Sequence, residues 1–476
     1  MMAQVESGLG RGWMHAPRGP AWRDAVAGRR VTVVGLARSG VAACRLLQAL
    51  GAEVTGTDAG SPAGLGPDVH ALAAAGVRLC LGGHPPEAFR EAELCVVSPG
   101  VPREHEALVR FRQRGVAIIG ELELAYRVMT ADVVAITGTN GKTTTTALVG
   151  ALLAETGRPV LVGGNIGRPL AAEALGFPAH GLVVAEASSF QLETADTFRP
   201  RVAALLNLTP DHLDRHRTFA AYAEAKARIF ARQTHEDWAV VNADNPEAAA
   251  LARRVESRLL WFSRTRALDE GSYVRDGWVT LRLAGRDEPV CPVGDVFLRG
   301  DHNLENVLAA TACAGALGVA PPRLGAGIRS FRGVAHRIEW VRERAGVVFY
   351  NDSKGTNVDA TLKALAAFRE PIVLIAGGRD KGQSFAGLEA AARGRVKAAV
   401  LIGEGRETLG PALRVVTTVH DAESMAEAVR RAAALAAEGD VVLLSPACAS
   451  YDMFRDYEHR GDVFKAEVLA LPEPDR

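Results

Sequence analysis

The chain has 476 residues, a length that corresponds to about three domains. Lysine plus arginine total 55 and aspartate plus glutamate total 55, and this balance argues against a nucleic-acid or membrane-surface partner. No apolar run is long enough to cross a bilayer, and six cysteines without paired metal-type spacing favour reduced thiols in the cytoplasm. Residues 1–28 are rich in glycine and arginine, and we expect them to form a flexible N-terminal extension.

The first predicted domain, residues 29–125, opens with a Rossmann-like unit. A strand over 31–34 leads into a glycine-bearing turn, an amphipathic helix and a second strand that ends at Asp58. The turn runs from Gly35 to Gly40, and Ala37 replaces the middle glycine of a dinucleotide fingerprint. Because that glycine lets the backbone approach a pyrophosphate, its absence weakens a dehydrogenase interpretation.

A third strand in this domain ends in another candidate ligand loop. The stretch LCVVSPGVP (94–102) reads as a strand followed by the turn Ser98-Pro99-Gly100. Open parallel sheets bind ligands at the carboxyl ends of their strands. This turn is therefore a candidate binding loop, and Asp58 is placed to accept a hydrogen bond from a ribose or base.

The second predicted domain, residues 126–333, begins with a candidate phosphate loop. The stretch VAITGTNGKTTTT (134–146) starts as a buried apolar strand and continues as a helix. Between them, Gly138 and Gly141 let the turn expose its backbone N–H groups. The positive end of the helix then points at a bound anion.

Two side chains after this turn are suited to bind the phosphates of a nucleotide and their magnesium ion. Lys142 supplies a compact positive charge, and the hydroxyl of Thr143 can bind magnesium. The usual P-loop has glycine at the position of Ile136, so the loop is a shortened variant. We predict that it binds the phosphates of a nucleotide.

Further candidate catalytic residues follow the next strands. The stretch GLVVAEASSFQLE (181–193) delivers Glu186 at the end of a buried strand, where phosphate-loop folds commonly hold a magnesium carboxylate. The stretch VAALLNLTPDHLDRH (202–216) reaches His212, and the next helix carries Lys226. From the residues alone, a hydrogen-bonding histidine and a solvated helical lysine remain open alternatives.

The third predicted domain, residues 334–476, again alternates strands and helices. Its strands lie in GVVFYNDSKGTN, PIVLIAGGRDKG, AAVLIGEG and DVVLLSPACASYDMF, and a polar loop follows each of them. This pattern predicts a second Rossmann-like domain with ligand loops at the carboxyl ends of its strands.

Eight short motifs occur in order along the chain. They are GTNGKTTT, GGNIG, EASSFQLE, DHLDRH, AHR, NDSKGTN, GGRDKG and SPACASYDMFRDYEHRGDVF. Together, over about residues 30–470, they resemble the Mur ligase family, and the SPACAS run resembles its D-glutamate-adding members. The resemblance implies an α/β fold of three domains: a Rossmann-like N-terminal domain, a P-loop central ATPase domain and a Rossmann-like C-terminal domain.

The resemblance also implies an activity and its partners. Such an enzyme is an ATP-dependent ligase of peptidoglycan precursor synthesis in the cytoplasm. ATP would convert the carboxylate of UDP-N-acetylmuramoyl-L-alanine to an acyl phosphate, which the amine of D-glutamate attacks. We expect two Mg²⁺ ions, no nucleic acid or membrane partner, and a monomer.

The family pattern assigns binding roles residue by residue. The residues implied for ATP are Gly138, Thr139, Asn140, Gly141, Lys142, Thr143, Thr144, Asn306, Arg337, Asp352 and Lys354. The last four would approach the nucleotide from the side opposite the phosphate loop. Those implied for the UDP-bearing substrate are Arg38, Ser39, Gly40, Asp58, Ser98, Gly100, Asn165 and Ser188. Those implied for D-glutamate are Thr356, Lys381, Ser450 and Tyr457.

The resemblance also implies a catalytic set and a metal set. The catalytic residues are Lys142, Glu186, His212 and Lys226. The metal ligands are Thr143, Glu186, His212 and Lys226. A lysine ammonium repels a cation, and the family resolves this by carbamylation, so we expect Lys226 to be N6-carboxylated.

Three alternatives differ in what they predict. A related ligase would add a different amino acid to a nucleotide-sugar peptide or to a folate. A nucleotide-binding dehydrogenase or sensor would bind nicotinamide and leave Lys142 without a role. A catalytically inactive scaffold would have no use for an intact phosphate loop together with Glu186, His212 and Lys226.

Overall fold

The computed structural model describes residues 12–102, 104–380, 382 and 384–473. The chain divides into two compact units. The first contains the residues up to Val293 together with Glu305–Ile328, and the second contains Gly294–Leu304 and the residues from Arg329 onward. Within the described residues, no helix is long and apolar enough to span a membrane.

The described part of the N-terminal extension is folded, contrary to our expectation of a flexible segment. A 3₁₀ turn over Gly12–His15 and helix α1 (Pro20–Val26) bury Trp13 and Trp22 in the core shared by the first two domains. Arg18 donates hydrogen bonds to the carbonyl oxygens of residues 130 and 131, which connect those domains. Each tryptophan buries a large apolar area and so helps to hold the segment against the core. The glycine and arginine content of the segment did not reveal this contribution.

The first domain is built on a parallel sheet with the strand order β3-β2-β1-β4-β5. Its strands are β1 (Arg30–Val34), β2 (Glu53–Asp58), β3 (Arg78–Leu81), β4 (Leu94–Val97) and β5 (Ala117–Gly120). Its helices after α1 are α2 (Arg38–Ala49), α3 (Pro67–Ala74), α4 (Glu106–Gln113) and α5 (Glu121–Val128). The order reverses between β1 and β4, so the loops that follow these strands flank the crevice where such sheets bind ligands.

The central domain has a larger sheet with the order β14-β13-β12-β11-β10-β9-β6-β8-β7. Its parallel strands are β6 (Asp132–Thr137), β7 (Val160–Gly164), β8 (Leu182–Glu186), β9 (Val202–Leu205), β10 (Trp238–Asn242), β11 (Arg258–Ser263) and β12 (Gly271–Arg275). The strands β13 (Trp278–Leu283) and β14 (Arg286–Pro292) extend it in antiparallel fashion.

Helices cover this sheet and carry several of the predicted site residues. They are α6 (Lys142–Ala154), α7 (Ser189–Leu192), α8 (Leu213–His216), α9 (Phe219–Ala227), α10 (Pro246–Ala252), α11 (Asp301–Ala316) and α12 (Pro321–Ser330). Residues 133–136 of β6 are at most 2% exposed, because helices cover both faces of a parallel sheet. The helix that carries Lys226 is α9, which ends at Ala227 and continues as a 3₁₀ turn over Arg228–Phe230.

The third domain has a mixed sheet with the order β15-β16-β20-β17-β18-β19. Its strands are β15 (Glu339–Arg344), β16 (Val347–Asn351), β17 (Ile372–Gly377), β18 (Val396–Ile402), β19 (Thr418–Asp421) and β20 (Val441–Leu444). Its helices are α13 (Val358–Ala366), α14 (Ala386–Ala392), α15 (Arg406–Arg414), α16 (Met425–Leu435) and α17 (Tyr457–Leu469). Among the described strands of this sheet, only β15, at the edge, is antiparallel to its neighbour. Together the three sheets confirm the predicted three-domain α/β class.

Candidate functional site

The phosphate loop is a tight turn between β6 and α6. Gly141 precedes α6 with φ at 83°, a left-handed conformation that favours glycine. A Cβ atom added there would lie 2.2 Å from Oδ1 of Asn306, so the loop has no room for a side chain at this position. Since Gly141 also has no side chain to cap α6, the helix N-terminus is suited to bind a phosphate.

Two lysines converge on one carbonyl oxygen of this loop. Lys142 Nζ donates to Gly138 O at 2.9 Å and to Thr139 O at 2.9 Å. Lys226 Nζ donates to Gly138 O at 2.8 Å and lies 4.8 Å from the centre of the Tyr222 ring. The sequence motifs alone did not show that the second lysine reaches the phosphate loop.

Lys226 is buried, with 2% of its surface exposed. Burial, reinforced by the positive charge of Lys142, lowers its pKa to about 6, while the carboxylates of Asp211 and Glu186 oppose the shift. The amine of Lys226 is therefore largely uncharged at neutral pH. An uncharged amine is the form that can attack carbon dioxide.

A hydroxyl and a carboxylate meet beneath the loop. Glu186, the last residue of β8, is buried and accepts a hydrogen bond from Thr143 Oγ1 at 2.8 Å. Its second oxygen accepts one from Asn165 Nδ2 at 2.9 Å. These oxygens are the hard ligands that magnesium prefers, so the pair formed by Thr143 and Glu186 fits the predicted ion.

His212 lies on the short turn that leads into α8. Its φ of 51° is in the left-handed region, which is uncommon for a residue with a side chain and often marks a functional site. The imidazole is half exposed, and its ring centre is 5.0 Å from that of Phe190. Across the described ranges, no three His, Cys, Asp or Glu side chains form a metal cluster, whereas the predicted set mixes a hydroxyl, a carboxylate, an imidazole and a lysine.

Asn306 lies in the same unit as the phosphate loop, whereas we expected it to approach with Arg337, Asp352 and Lys354 from the other side. Its side chain is 4% exposed and accepts a hydrogen bond from Thr145 Oγ1 at 3.2 Å. The division of the chain places Asn306 in the first unit and the other three residues in the second. The boundary between the units falls inside α11, between Leu304 and Glu305, and the sequence did not show it.

The predicted UDP-substrate residues of the first domain surround the carboxyl ends of β1, β2 and β4. Ser98 Oγ donates to Gly35 O at 2.6 Å, and a Cβ atom on Gly40 would lie 1.8 Å from that same oxygen. Asp58 accepts hydrogen bonds from the backbone N–H groups of Leu36 and Gly60, at 2.6 and 2.7 Å. The structure therefore joins these loops into one surface, on which Arg38, Ser39 and Gly100 also lie.

Two of the predicted substrate residues already have structural roles in the central domain. Ser188 caps α7, because its hydroxyl accepts from Gln191 N at 3.2 Å. Asn165 donates to the carboxylate of Glu186 and is next to the predicted metal ligands.

In the second unit, Asp352 lies in the loop after β16. It is 7% exposed, and burial raises its pKa to about 7. Ser445 Oγ, after β20, donates to Asp352 Oδ2 at 2.8 Å. The adjacent Lys354 places Nζ 5.1 Å from the centre of the Tyr457 ring, while Arg337 is exposed.

The predicted D-glutamate residues are distributed over neighbouring loops of this unit. Ser450 is buried in the loop after β20, Tyr457 begins α17, and Thr356 precedes α13. Lys381 lies outside the described residues. Arg379 and Ala449 exchange backbone hydrogen bonds of 2.9 and 3.0 Å, so the loops after β17 and β20 are adjacent.

Sequence reasoning missed Arg460 of α17, which is fully buried. Its guanidinium donates to Ser353 Oγ and O at 3.0 and 2.8 Å and to Cys448 O at 3.1 Å. Burial lowers its pKa to about 10, so the arginine stays charged at neutral pH. The signal was present in the DYEHRG motif, but an arginine between helical polar residues usually indicates a solvated face.

Comparison with known families agrees with this arrangement along most of the chain. Residues 29–120 match the family described as "Mur ligase MurD-like, N-terminal domain". Residues 136–314 match "Mur ligase middle domain", and residues 336–448 match "Mur ligase, glutamate ligase domain".

Two curated relatives are similar over almost their whole length. The chain is 48% identical over 445 residues to UDP-N-acetylmuramoylalanine--D-glutamate ligase of Pelotomaculum thermopropionicum, covering 93% of this chain and 98% of that protein. It is 45% identical over 451 residues to the protein of the same name from Koribacter versatilis, covering 95% and 99%.

Solved structures support the fold at lower identity. UDP-N-acetylmuramate-alanine ligase of Thermotoga maritima superposes with a TM-score of 0.56 at 18% identity, covering 93% of this chain and 99% of that one. A pseudomurein peptide ligase type C from Methanothermus fervidus gives a TM-score of 0.51 at 19% identity, covering 87% and 96%.

Proposed function

The chain belongs to the Mur ligase family, and we propose that it is an ATP-dependent ligase that joins D-glutamate to UDP-N-acetylmuramoyl-L-alanine in peptidoglycan precursor synthesis. The observation that carries the chemistry is the contact of Thr143 with Glu186 beneath a phosphate loop that also holds Lys142. The choice of amino acid rests on the names of relatives at 42–48% identity. These relatives are named as D-glutamate ligases. Their names argue against the alternative that this chain adds a different amino acid.

The reaction joins a carboxylate to an amine, and the carboxylate must first be activated. A carboxylate oxygen of the UDP-bearing substrate attacks the γ-phosphorus of ATP, and the bond to the β–γ bridging oxygen breaks to release ADP. The amine of D-glutamate then attacks the carbonyl carbon of the acyl phosphate. The nitrogen loses a proton and inorganic phosphate leaves as the amide forms.

The central-domain residues provide positive charge where two anions must approach each other. Lys142 would turn from the carbonyl oxygens of Gly138 and Thr139 toward the transferred phosphoryl group. Bound magnesium would neutralise the phosphate oxygens, as it does in phosphoryl transfer generally. Thr143 and Glu186 would hold one ion, and His212 with Lys226 would hold the second.

Lys226 can serve a metal ion only after it loses its positive charge. We propose that its uncharged amine reacts with CO₂, forming an N–C bond and releasing a proton to give an anionic carbamate. The burial of the amine and its position 2.8 Å from Gly138 O support this assignment. The carbamate oxygens would then face the second magnesium ion.

The remaining assignments belong to the same proposal. ATP would be bound by residues 138–144 and Asn306 and, from the second unit, by Arg337, Asp352 and Lys354. The UDP portion would bind the first-domain loops, with Asn165 and Ser188 nearer the reacting end. D-glutamate would bind Thr356, Lys381, Ser450 and Tyr457.

We also propose the domain limits and the cellular setting. The substrate domain would span residues 29–125, the ATP domain 126–333 and the amino-acid domain 334–476. The enzyme would act as a cytoplasmic monomer, with no nucleic acid or membrane partner.

One assay tests the proposed function. The purified chain is mixed with ATP, magnesium and UDP-N-acetylmuramoyl-L-alanine, and ADP is followed as D-glutamate, L-alanine or a diamino acid is added. We expect ADP release that requires both the nucleotide sugar and D-glutamate. Release with another amino acid only, or no release at all, would contradict the proposal.

A further inference from the structure

An arginine of the central domain holds a substrate loop of the first domain. Arg215, in α8, donates from Nη1 to Pro99 O at 2.8 Å and from Nη2 to Val101 O at 3.1 Å. Both acceptors belong to the turn that follows β4 and contains Ser98 and Gly100. The arginine side chain is 18% exposed. Hydrogen bonds from a charged donor are stronger than those between neutral groups.

The same arginine rests on an aromatic ring that contacts two histidines. Its guanidinium carbon lies 4.0 Å from the centre of the Phe190 ring. His216 stacks on that ring at 5.3 Å between centres, and His212 approaches it at 5.0 Å. Phe190 therefore contacts three side chains of the 212–216 segment, which includes the proposed metal ligand His212.

The backbone links these contacts over one helical turn. His212 O accepts hydrogen bonds from the N–H groups of Arg215 and His216 at 3.1 and 2.9 Å. His216 Nε2 is 2.9 Å from Ser189 Oγ, next to the cap of α7. The backbone conformation of His212 and the position of the Arg215 side chain therefore depend on the same short helical turn.

We propose that Arg215 is a positioning residue for the UDP-bearing substrate, because it fixes the Ser98–Val101 turn of the first domain against the segment that carries His212. This inference rests on the proposed function, which assigns that turn to the UDP-bearing substrate. Ser98 Oγ holds the turn from within its own domain through Gly35 O. Arg215 anchors the same turn from the central domain, which carries the proposed phosphate-binding and metal-binding residues.

The alternative is that Arg215 merely stabilises the fold. A stabilising arginine would affect all ligands alike, or none, once the protein is folded. A positioning arginine would affect the UDP-bearing substrate and leave nucleotide binding to residues 138–144 unchanged. The affinities for the two ligands therefore distinguish the two roles.

The test compares Arg215→Met with Arg258→Met. Methionine keeps an apolar chain over Phe190 and removes both donors. Arg258 is a matched control because it also donates to a backbone carbonyl, His235 O at 3.0 Å, and lies 5.2 Å from the centre of an aromatic ring, Trp238. It is exposed at the start of β11, at the opposite end of the strand from the carboxyl-end loops.

Calorimetric titration with UDP-N-acetylmuramoyl-L-alanine, in the absence of metal, and with a non-hydrolysable ATP analogue with magnesium gives both affinities. We expect Arg215→Met to weaken the first by about tenfold or more and the second by less than about twofold, with Arg258→Met unchanged in both. Steady-state KM values for the two substrates should show the same split. Arg215→Lys, which keeps the charge on a single donor nitrogen, replaces the methionine variant if that protein does not fold.

Two results would overturn the inference. One is an unchanged affinity of the Arg215 variant for the nucleotide sugar, and the other is an equal loss for both ligands. The wild-type assay keeps this outcome separate from the proposed function. If the wild-type chain forms the amide and the variants show no split, only the role of Arg215 fails.

Discussion

The amines of Lys142 and Lys226 both donate to the carbonyl oxygen of Gly138, and two positive charges so close together would repel each other. Lys142 is partly exposed and can reach a phosphate, whereas Lys226 is buried and has a pKa of about 6. A cationic Lys226 would be destabilised both by burial and by its neighbour. Carbamylation would go further and reverse the sign of the charge beside the phosphate loop.

Lys226→Ala tests this role. We expect kcat to fall by more than ~10-fold, which is ~1.4 kcal/mol of barrier, because the second magnesium ion would lose the carbamate that we propose as its ligand. Added short carboxylates such as acetate should restore part of the activity. The exposed Lys363, paired with Asp359, provides Lys363→Ala as a control.

A direct measurement accompanies the kinetics. Wild-type protein in ¹³C-bicarbonate should show a carbamate carbon signal by NMR, and Lys226→Ala should lack it. If Lys226→Ala were fully active and added carboxylates had no effect on it, the assignment would be refuted.

Glu186→Ala tests the first metal site. The buried carboxylate accepts from Thr143 and Asn165, and its loss leaves the threonine hydroxyl as the remaining protein ligand proposed for that ion. We expect the magnesium concentration for half-maximal activity to rise by about tenfold. Glu173→Ala, which removes a surface partner of Arg168, is the control. A magnesium titration identical to wild type would count against the ligand role.

Among the elements, the order of strands in the central sheet explains how distant motifs meet. Strand β6 lies between β8 and β9, and all three are parallel. Their carboxyl ends therefore bring together the phosphate loop, Glu186 and Asn207, although these are separated by up to about 70 residues in the chain. Asn207 Oδ1 accepts from Asn140 N at 2.8 Å, which ties the loop after β9 to the phosphate loop.

The turn between β6 and α6 can be tested with a pair of glycines. Gly141→Ala places a methyl group 2.2 Å from Asn306 Oδ1 in a left-handed backbone, so the loop must deform. Gly157, after the other end of α6, has φ at 72°, and a Cβ atom added there would have no atom within 4 Å. Both alanine variants carry backbone strain of about 1–2 kcal/mol.

We expect only Gly141→Ala to raise KM for ATP, by about tenfold or more, while both variants lower the melting temperature. Steady-state kinetics and thermal unfolding measure the two effects separately. Equal KM values for ATP in the two variants would mean that the close packing of the loop is unimportant for nucleotide binding.

Within the first unit as a whole, buried charges of α5 join the first domain to the central one. Arg127 forms an ion pair with Glu123 at 2.6 Å and with Asp196 of the central domain at 3.1 Å. It also donates to Met14 O at 2.8 Å, in the N-terminal segment. Breaking one member of such a buried network leaves an unpaired charge, which is strongly destabilising.

Glu121 at the start of α5 makes the stability of this unit depend on pH. Burial raises its pKa to about 7, and Ala171 N donates to one of its oxygens at 2.7 Å. The folded state therefore holds the proton more tightly than the unfolded chain, whose glutamate titrates near 4.5. Between pH 4.5 and 7 the folded state binds more protons, so this group makes the protein less stable as the pH rises.

Glu121→Gln removes the titration and keeps the acceptor for Ala171. We expect its melting temperature, relative to wild type, to be higher at pH 8 than at pH 5 by several degrees. Glu155→Gln, an exposed position after α6, should show no such trend. A difference between Glu121→Gln and wild type that is independent of pH would contradict the argument.

The sequence by itself determined the strands, the loops that follow them and the kinds of residue that those loops carry. Buried strands such as β6 and β8 have an apolar run that only a sheet covered on both faces explains. Gly141 meets the local need for a left-handed turn, and the carboxylate of Glu186 suits the magnesium-ligand role that we propose for it. Each of these features depends on a few neighbouring residues. The short motifs in the sequence were therefore enough to indicate the chemistry.

Only the tertiary structure decided which distant groups share an environment. It packed the N-terminal tryptophans into the core, placed Asn306 beside the phosphate loop and directed Lys226 to Gly138 O. A buried amine and a solvated one look the same in a sequence, because burial depends on elements far away in the chain. The physical reason is that desolvation and long-range hydrogen bonds are properties of the assembled fold, not of the local residues.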